Sequence, residues 1–309
     1  MRTNRPGISS AKKLEEILMW LDGLNCAEKQ DVTLSLRQPD TCKWLFHTTQ
    51  YKRWRDGNGD GDGDSSFLWL RGKRETSQAL LSVLADVPRD MFLAGAGKSV
   101  LAYVYVSNIS AVLTPLYRSS VIHSLEESRR DGEFLAFFYC DFRNERSTRA
   151  AEAMRSILSQ LLRQVCGSGV DHGGWLDDLM TAKQRGGGTR KNAKQLAGFV
   201  SHVASLVVRK PLVIVDALDE CKDVPELLQA LLVMQGCVRL FVTSRPLHAI
   251  LSDLAGLPFV SMDDTADELS ADIELHVTRE LDGRQRLRDL AIEFKTEIRS
   301  VLSKKADGM

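Results

Sequence analysis

The chain has 309 residues, 43% of them hydrophobic and 27% charged, which is enough for one large or two modest globular domains. Its 41 basic and 41 acidic side chains cancel, which argues against a nucleic-acid-binding arm and a polybasic membrane anchor. No apolar run reaches the roughly 18 residues of a membrane-spanning helix. Residues 1–10 do not form a signal peptide, and the six cysteines are widely spaced, so we expect a cytoplasmic protein.

Residues 1–66 are predicted to form a helical linker region. Leu14, Leu18 and Leu21 recur at helical spacing behind Ser10, a good N-cap residue, and predict a helix that ends near Gly23. A second helical stretch is predicted over residues 41–54.

The linker region ends in a Gly- and Asp-rich stretch, DGNGDGDGDSS. Asp56, Asn58 and Asp60 partly match a calcium-binding loop, but Phe67 stands where that loop requires a bidentate Glu. A solvated linker is the alternative, and we favour it.

From residue 67 onward, short apolar runs alternate with helical patterns. Four runs are too short and too continuous for exposed helices and predict buried strands, at residues 67–72, 134–142, 211–218 and 238–246. Between them, one helix is predicted to be capped near Ser147 and another to cover residues 192–208. This alternation predicts an α/β fold with a mostly parallel sheet over residues 67–250. Residues 251–309 are predicted to be a mainly helical continuation, with helices at 267–281 and 287–302.

The segment AGAGKS has the composition of the end of a phosphate-binding P-loop. Backbone N–H groups of Gly95, Ala96 and Gly97 would surround phosphate oxygens at the start of a helix. Lys98 would neutralise the β and γ phosphates, and the Ser99 hydroxyl would bind Mg²⁺.

An apolar strand that ends in acids follows downstream, in LVIVDALDEC. Asp216 would bind Mg²⁺, while Asp219 and Glu220 would orient or activate the attacking water. Arg245, after the next strand, would contact a γ phosphate. Each feature alone is common in proteins that bind no nucleotide. Their occurrence together and in this order predicts a P-loop NTPase with a three-layer fold and a site for ATP or GTP with Mg²⁺.

The chain resembles fungal NACHT-type proteins, and in particular the nephrocystin-3-like N-terminal NTPase domain. The resemblance runs from about Ile17 to the last residue and rests on motifs in the family's order: DTCKWLFHTTQYKRW, FLWLRGK, AGAGKSVLA, FFYCDFR, LVIVDALDEC, LFVTSRP and KKADGM.

This resemblance implies a STAND-type signalling switch that hydrolyses nucleotide slowly, self-associates or binds other signalling proteins, and usually precedes ankyrin or other repeats. It implies the same roles for Lys98, Ser99, Asp216, the two downstream acids and Arg245. KKADGM resembles the start of a family segment that continues as an apolar helix, so we expect a chain truncated before its repeats.

The chain departs from the family pattern at two inserts, residues 74–94 and 103–118. Phe92 stands where a full P-loop has Gly, and family members would read RGKPGAGKS without a gap. Codons for both insert boundaries can encode splice donor and acceptor sequences, and excision of about 60 and about 48 nucleotides keeps the reading frame. We therefore interpret both inserts as retained introns. Genuine lineage-specific loops are the alternative.

Two other functions fit parts of the sequence. A degenerate NTPase fold would serve as a nucleotide-independent scaffold whose helices bind partners. A metabolic P-loop kinase would need an arginine-rich lid, and no clear arginine cluster supplies one.

If the inserts are introns, the mature transcript lacks both segments. We expect the excised form to bind nucleotide well and the 309-residue form to bind it weakly, because some twenty extra residues separate the two halves of the phosphate loop. Transcript sequencing tests the first statement, and fluorescent-ATP titration of both forms tests the second. Reads that run through both segments, or equal affinities, would contradict this interpretation.

Overall fold

The computed structural model describes residues 10–35, 42–57, 66–72, 120–169, 174–185 and 192–283, with residues 288, 291–293 and 295–296 near the C-terminus. Its five strands form one all-parallel sheet in the order β2-β3-β4-β1-β5. The strands are β1 (Phe67–Arg71), β2 (Leu135–Tyr139), β3 (Leu212–Asp216), β4 (Arg239–Ser244) and β5 (Phe259–Ser261). The predicted α/β class with a mostly parallel sheet is confirmed, and all four predicted strands form. The three-residue β5 lies where the sequence predicts mainly helix.

Helices account for most of the remaining described residues. They are α1 (Ser10–Leu21), α2 (Ala27–Ser35), α3 (Lys43–His47), α4 (Thr49–Asp56), α5 (residues 120–127), α6 (Ala150–Gly167), α7 (Trp175–Arg185), α8 (Ala193–Ser205), α9 (Val224–Met234), α10 (His248–Asp253) and α11 (Ala266–Gly283). None of the helices in the described ranges is both long and apolar enough to cross a bilayer.

The helical stretch predicted at residues 41–54 forms two helices, α3 and α4, because Thr48 interrupts it. Thr48 is extended (φ −64°, ψ 144°), and its hydroxyl donates to the Leu45 carbonyl (2.8 Å). The same oxygen accepts the Tyr51 N–H at 3.2 Å and so satisfies an open donor in the first turn of α4.

The chain divides into two compact units. Unit 1 contains Met1–Ala27, Asp56–Trp69 and Leu125–Pro258, and unit 2 contains Glu28–Arg55, Leu70–Ser124 and Phe259–Met309. Within unit 2, Leu45 and Trp54 are buried, and the Cys42 N–H donates to the buried Asp272 carboxylate of α11 at 2.8 Å. The boundaries predicted near residues 66 and 250 stay a prediction.

In unit 1, α6 contacts α8, α9 and β2, while every residue of β3 is buried. Apolar residues recur along α6 at spacings of three and four, so one face of the helix is continuously apolar and is buried. Ser147 does not cap this helix. It lies in the 3₁₀ turn Arg146–Thr148, and its hydroxyl donates to the Asp141 carbonyl at 2.9 Å. By contrast, the helix predicted to begin near Asn192 has Asn192 as its N-cap, in a capping box with Gln195.

Two glutamines of α6 cover the outer edge of β2, the first strand of the sheet. Gln164 donates to the Leu135 carbonyl (2.7 Å) and accepts the Leu135 N–H (3.2 Å). Gln160 makes the same pair of bonds to Phe137, at 2.7 and 3.0 Å. The spacings match because four helical residues rise about 6 Å and two strand residues about 6.6 Å. The carboxamides therefore bond to this edge as a neighbouring strand would.

Replacing both glutamines by methionine tests this cover. Methionine has a side chain of similar length but cannot make these hydrogen bonds, so two backbone N–H and two C=O groups of β2 lose their partners. We expect this loss to lower the free energy of unfolding by about 1–3 kcal/mol. The exposed edge should also promote dimers at high protein concentration. Urea unfolding and light scattering measure the two effects. Gln184→Met, at an exposed position of α7, is the control, and equal stability of the two variants would refute the interpretation.

Candidate functional site

The candidate site lies at the carboxyl ends of β3 and β4, which belong to unit 1. Because the sheet is parallel, β3, β4 and β1 all end on the same edge, and β4 lies between the other two. The strand that follows β1 in the chain is β2, which lies beyond β3 in the sheet. The strand that follows β4 is β5, which lies in the opposite direction, beyond β1. In open α/β sheets, ligands bind in the crevice at such a reversal of strand order.

Asp216 is the last residue of β3 and is only 3% exposed. The Thr243 hydroxyl, on β4, donates to Asp216 Oδ1 at 2.6 Å. The same hydroxyl oxygen accepts the N–H of Ala217 at 3.0 Å. One side chain therefore holds both the carboxylate and the backbone that follows it.

The chain turns sharply after Asp216. Ala217 adopts the left-handed conformation (φ 53°, ψ 47°), which disfavours a residue with a Cβ by about 1–2 kcal/mol. Its hydrogen bond to Thr243 offsets part of that cost. The turn leads into the 3₁₀ segment Leu218–Glu220, which carries the other two predicted acids.

Asp219 and Arg245 form an ion pair with two hydrogen bonds. The Arg245 backbone N–H donates to Asp219 Oδ1 (3.0 Å), and Arg245 Nε donates to Oδ2 (2.6 Å). The Asp219 side chain is 4% exposed and that of Arg245 is 54% exposed. A solvent-facing guanidinium thus neutralises a buried carboxylate. The structure brings these two predicted site residues together, and each holds the other.

Glu220 connects the loops that follow β2 and β3. Its Oε2 accepts the N–H of Phe142 at 3.1 Å. Two thiols lie in the same loops, Cys140 and Cys221. A hydrogen bond between them, together with burial, raises the pKa of Cys140 well above its ordinary value. Cys140 therefore stays protonated at neutral pH, as expected of a core residue rather than a nucleophile.

Two hydrogen bonds at the carboxyl end of β4 were not predicted from the sequence. They are the hydroxyl of Thr243 on Asp216 and the bond from Trp69 Nε1 of β1 to Ser244 Oγ of β4, at 2.8 Å. The signal for both is the pair of hydroxyl residues at the end of an apolar strand, in LFVTSRP. Polar side chains there must find partners when they are buried.

The predicted phosphate-binding residues Gly95, Ala96, Gly97, Lys98 and Ser99 lie outside the described residues, as do both inserts. Within the described part of the chain, no group of three or more His, Cys, Asp or Glu side chains could hold a metal ion. Any Mg²⁺ at Asp216 therefore needs oxygen ligands in addition to the acidic side chains of the described residues.

Residues 92–245 match the family model described as Nephrocystin 3, N-terminal. The match begins just before the predicted phosphate loop, ends on Arg245, and supports a NACHT-like, nephrocystin-3-like domain over that range. No curated protein and no solved structure gives a significant match to the chain.

The Asp219–Arg245 pair can be measured by a double-mutant cycle. We expect Asp219→Asn and Arg245→Ala to be coupled by about 1 kcal/mol in unfolding free energy, because the single arginine change leaves a buried carboxylate without its cation. Salt should reduce the coupling, since Arg245 is partly exposed. Asp141 and Arg143, paired at 3.0 Å with the arginine 74% exposed, form the control pair and should couple more weakly. Additive changes at Asp219 and Arg245 would contradict this.

Proposed function

We propose that this chain is the nucleotide-binding module of a STAND-type signalling switch, which binds ATP or GTP with Mg²⁺. The observation that carries the proposal is the buried carboxylate of Asp216 at the carboxyl end of β3, an interior strand of the parallel sheet. Only β4 separates β3 from β1, the strand that precedes the phosphate-loop sequence. This is the place where open α/β sheets bind ligands.

In this proposal, the backbone of Gly95, Ala96 and Gly97 cradles the phosphates, and Lys98 neutralises them. Ser99 and Asp216 hold Mg²⁺, which would neutralise charge on the phosphates and fix their orientation. A single carboxylate suits the ion, because Mg²⁺ is usually bound by one or two carboxylates together with water and substrate phosphates.

The three remaining residues take different roles. Both carboxylate oxygens of Asp219 already accept hydrogen bonds from Arg245, so we assign the orientation of the attacking water to Glu220. Arg245 would have to leave Asp219 to contact a γ phosphate. The position of the Arg245 side chain would thus depend on which nucleotide is bound. Its movement would leave the buried carboxylate of Asp219 without its cation.

Slow hydrolysis would then reset the switch, and nucleotide exchange would favour self-association or binding of other signalling proteins. A cytoplasmic location is part of this proposal. All six cysteines in the chain are free thiols in the structure, which suits a reducing compartment.

The rival is a nucleotide-independent scaffold. The observation that favours it is in the sequence, where Phe92 replaces the first glycine of the phosphate loop and two inserts interrupt the motif. In that case the carboxyl ends of the strands would keep their structure without binding nucleotide, and the helix surfaces would bind partner proteins.

Lys98→Ala separates the two functions. The proposal predicts at least a tenfold loss of Mg-ATP affinity, because the charge that faces the phosphates is removed. The scaffold predicts no change. Fluorescent-ATP titration in Mg²⁺ measures this in the 309-residue chain and in the excised form. Lys194→Ala, at an exposed position of α8, is the matched control, and an identical response of the two variants would favour the scaffold.

A further inference from the structure

We propose that Thr243 is a positioning residue for the magnesium-binding carboxylate and that it sets the metal dependence of nucleotide binding. This inference rests on the proposed function, because it takes Asp216 as the magnesium ligand. It assigns a role to a residue of β4 that touches neither metal nor nucleotide in the proposal.

The geometry makes Thr243 an orienting group. A hydroxyl carries one proton, and here that proton is directed at Asp216 Oδ1 over 2.6 Å. Its lone pair is directed at the Ala217 N–H over 3.0 Å. With donor and acceptor both engaged, the hydroxyl cannot rotate without loss of one bond. The carboxylate group is therefore held against rotation about its Cβ–Cγ bond.

Burial strengthens this restraint. Thr243 is 4% exposed and Asp216 is 3% exposed, so water competes little for the bond between them. Hydrogen bonds are stronger in such surroundings than in water, and an unpaired buried polar group is correspondingly costly.

The two acids of this site are held in opposite ways. Asp219 is bonded to the guanidinium of Arg245, which cancels its charge. The Thr243 hydroxyl, by contrast, is neutral, so its bond orients the Asp216 carboxylate and adds no compensating positive charge. Partners of metal ligands typically contribute 10- to 100-fold, roughly, to metal affinity.

The neighbouring hydroxyl supplies an internal control. Ser244 is also buried, but it accepts a hydrogen bond from Trp69 Nε1 at 2.8 Å. Successive residues of a strand point to opposite faces of the sheet. Ser244→Ala therefore removes a buried hydroxyl one residue away from Thr243 and leaves the bond to Asp216 in place.

The test compares Thr243→Val, which keeps the shape and removes the hydroxyl, with Thr243→Ser, which keeps the hydroxyl. Fluorescent-ATP binding by the 309-residue chain and by the excised form is titrated at a series of Mg²⁺ concentrations and in EDTA. We expect Thr243→Val to raise the Mg²⁺ concentration for half-maximal binding about tenfold and to leave binding in EDTA unchanged. Thr243→Ser and Ser244→Ala should keep the wild-type Mg²⁺ dependence.

The outcomes separate this inference from the function on which it rests. Wild-type protein that binds nucleotide without any response to Mg²⁺, or not at all, overturns both. A Mg²⁺-dependent wild type with an unchanged Thr243→Val variant overturns the inference alone. If Thr243→Val does not fold, Thr243→Ala is measured in its place against Ser244→Ala. In the Asp216→Asn background, loss of the hydroxyl should cause no further change in Mg²⁺ dependence, and an additional loss there would also overturn the inference.

Discussion

The hydrogen bond between Thr243 and Asp216 is the interaction on which the candidate site depends. A carboxylate at the end of a buried strand is costly unless a neighbour holds it, since charge burial without partners disfavours folding by several kcal/mol, roughly. Thr243 meets that need with a neutral group, and through the Ala217 N–H it also stabilises the left-handed turn. One side chain on the adjacent strand thus contacts both the carboxylate and the turn that follows it.

The carboxyl end of β4 connects the elements of the site. Three consecutive residues make three different contacts: Thr243 bonds to the end of β3, Ser244 to β1, and Arg245 to the loop after β3. A change in the position of β4 would therefore alter the contacts of Asp216, of Asp219 and of β1 at the same time. This arrangement gives the proposed switch a physical route from nucleotide to fold, because the contacts share one rigid strand.

Helix α6 both packs in the core and covers one edge of the sheet. Its apolar face fills the core against α8 and α9, while Gln160 and Gln164 satisfy the backbone of the first strand. An open strand edge attracts other strands, and carboxamides that imitate one remove that attraction within the fold. The strand β3, which ends in Asp216, lies between β2 and β4 and so has no open edge.

The amino-acid sequence by itself determined the α/β class, four of the five strands and the residues that are acidic or basic near the site. These follow from local patterns, since runs of apolar residues and helical spacing are visible within a few turns of chain. It did not reveal β5, whose three residues are too few for a pattern, or the break at Thr48, where one hydroxyl bonds to both flanking helices. Only the tertiary structure decided that Arg245 bonds to Asp219 and that Thr243 holds Asp216. Those partners lie 26 and 27 residues apart, and no local pattern records which side chains the parallel strands bring together.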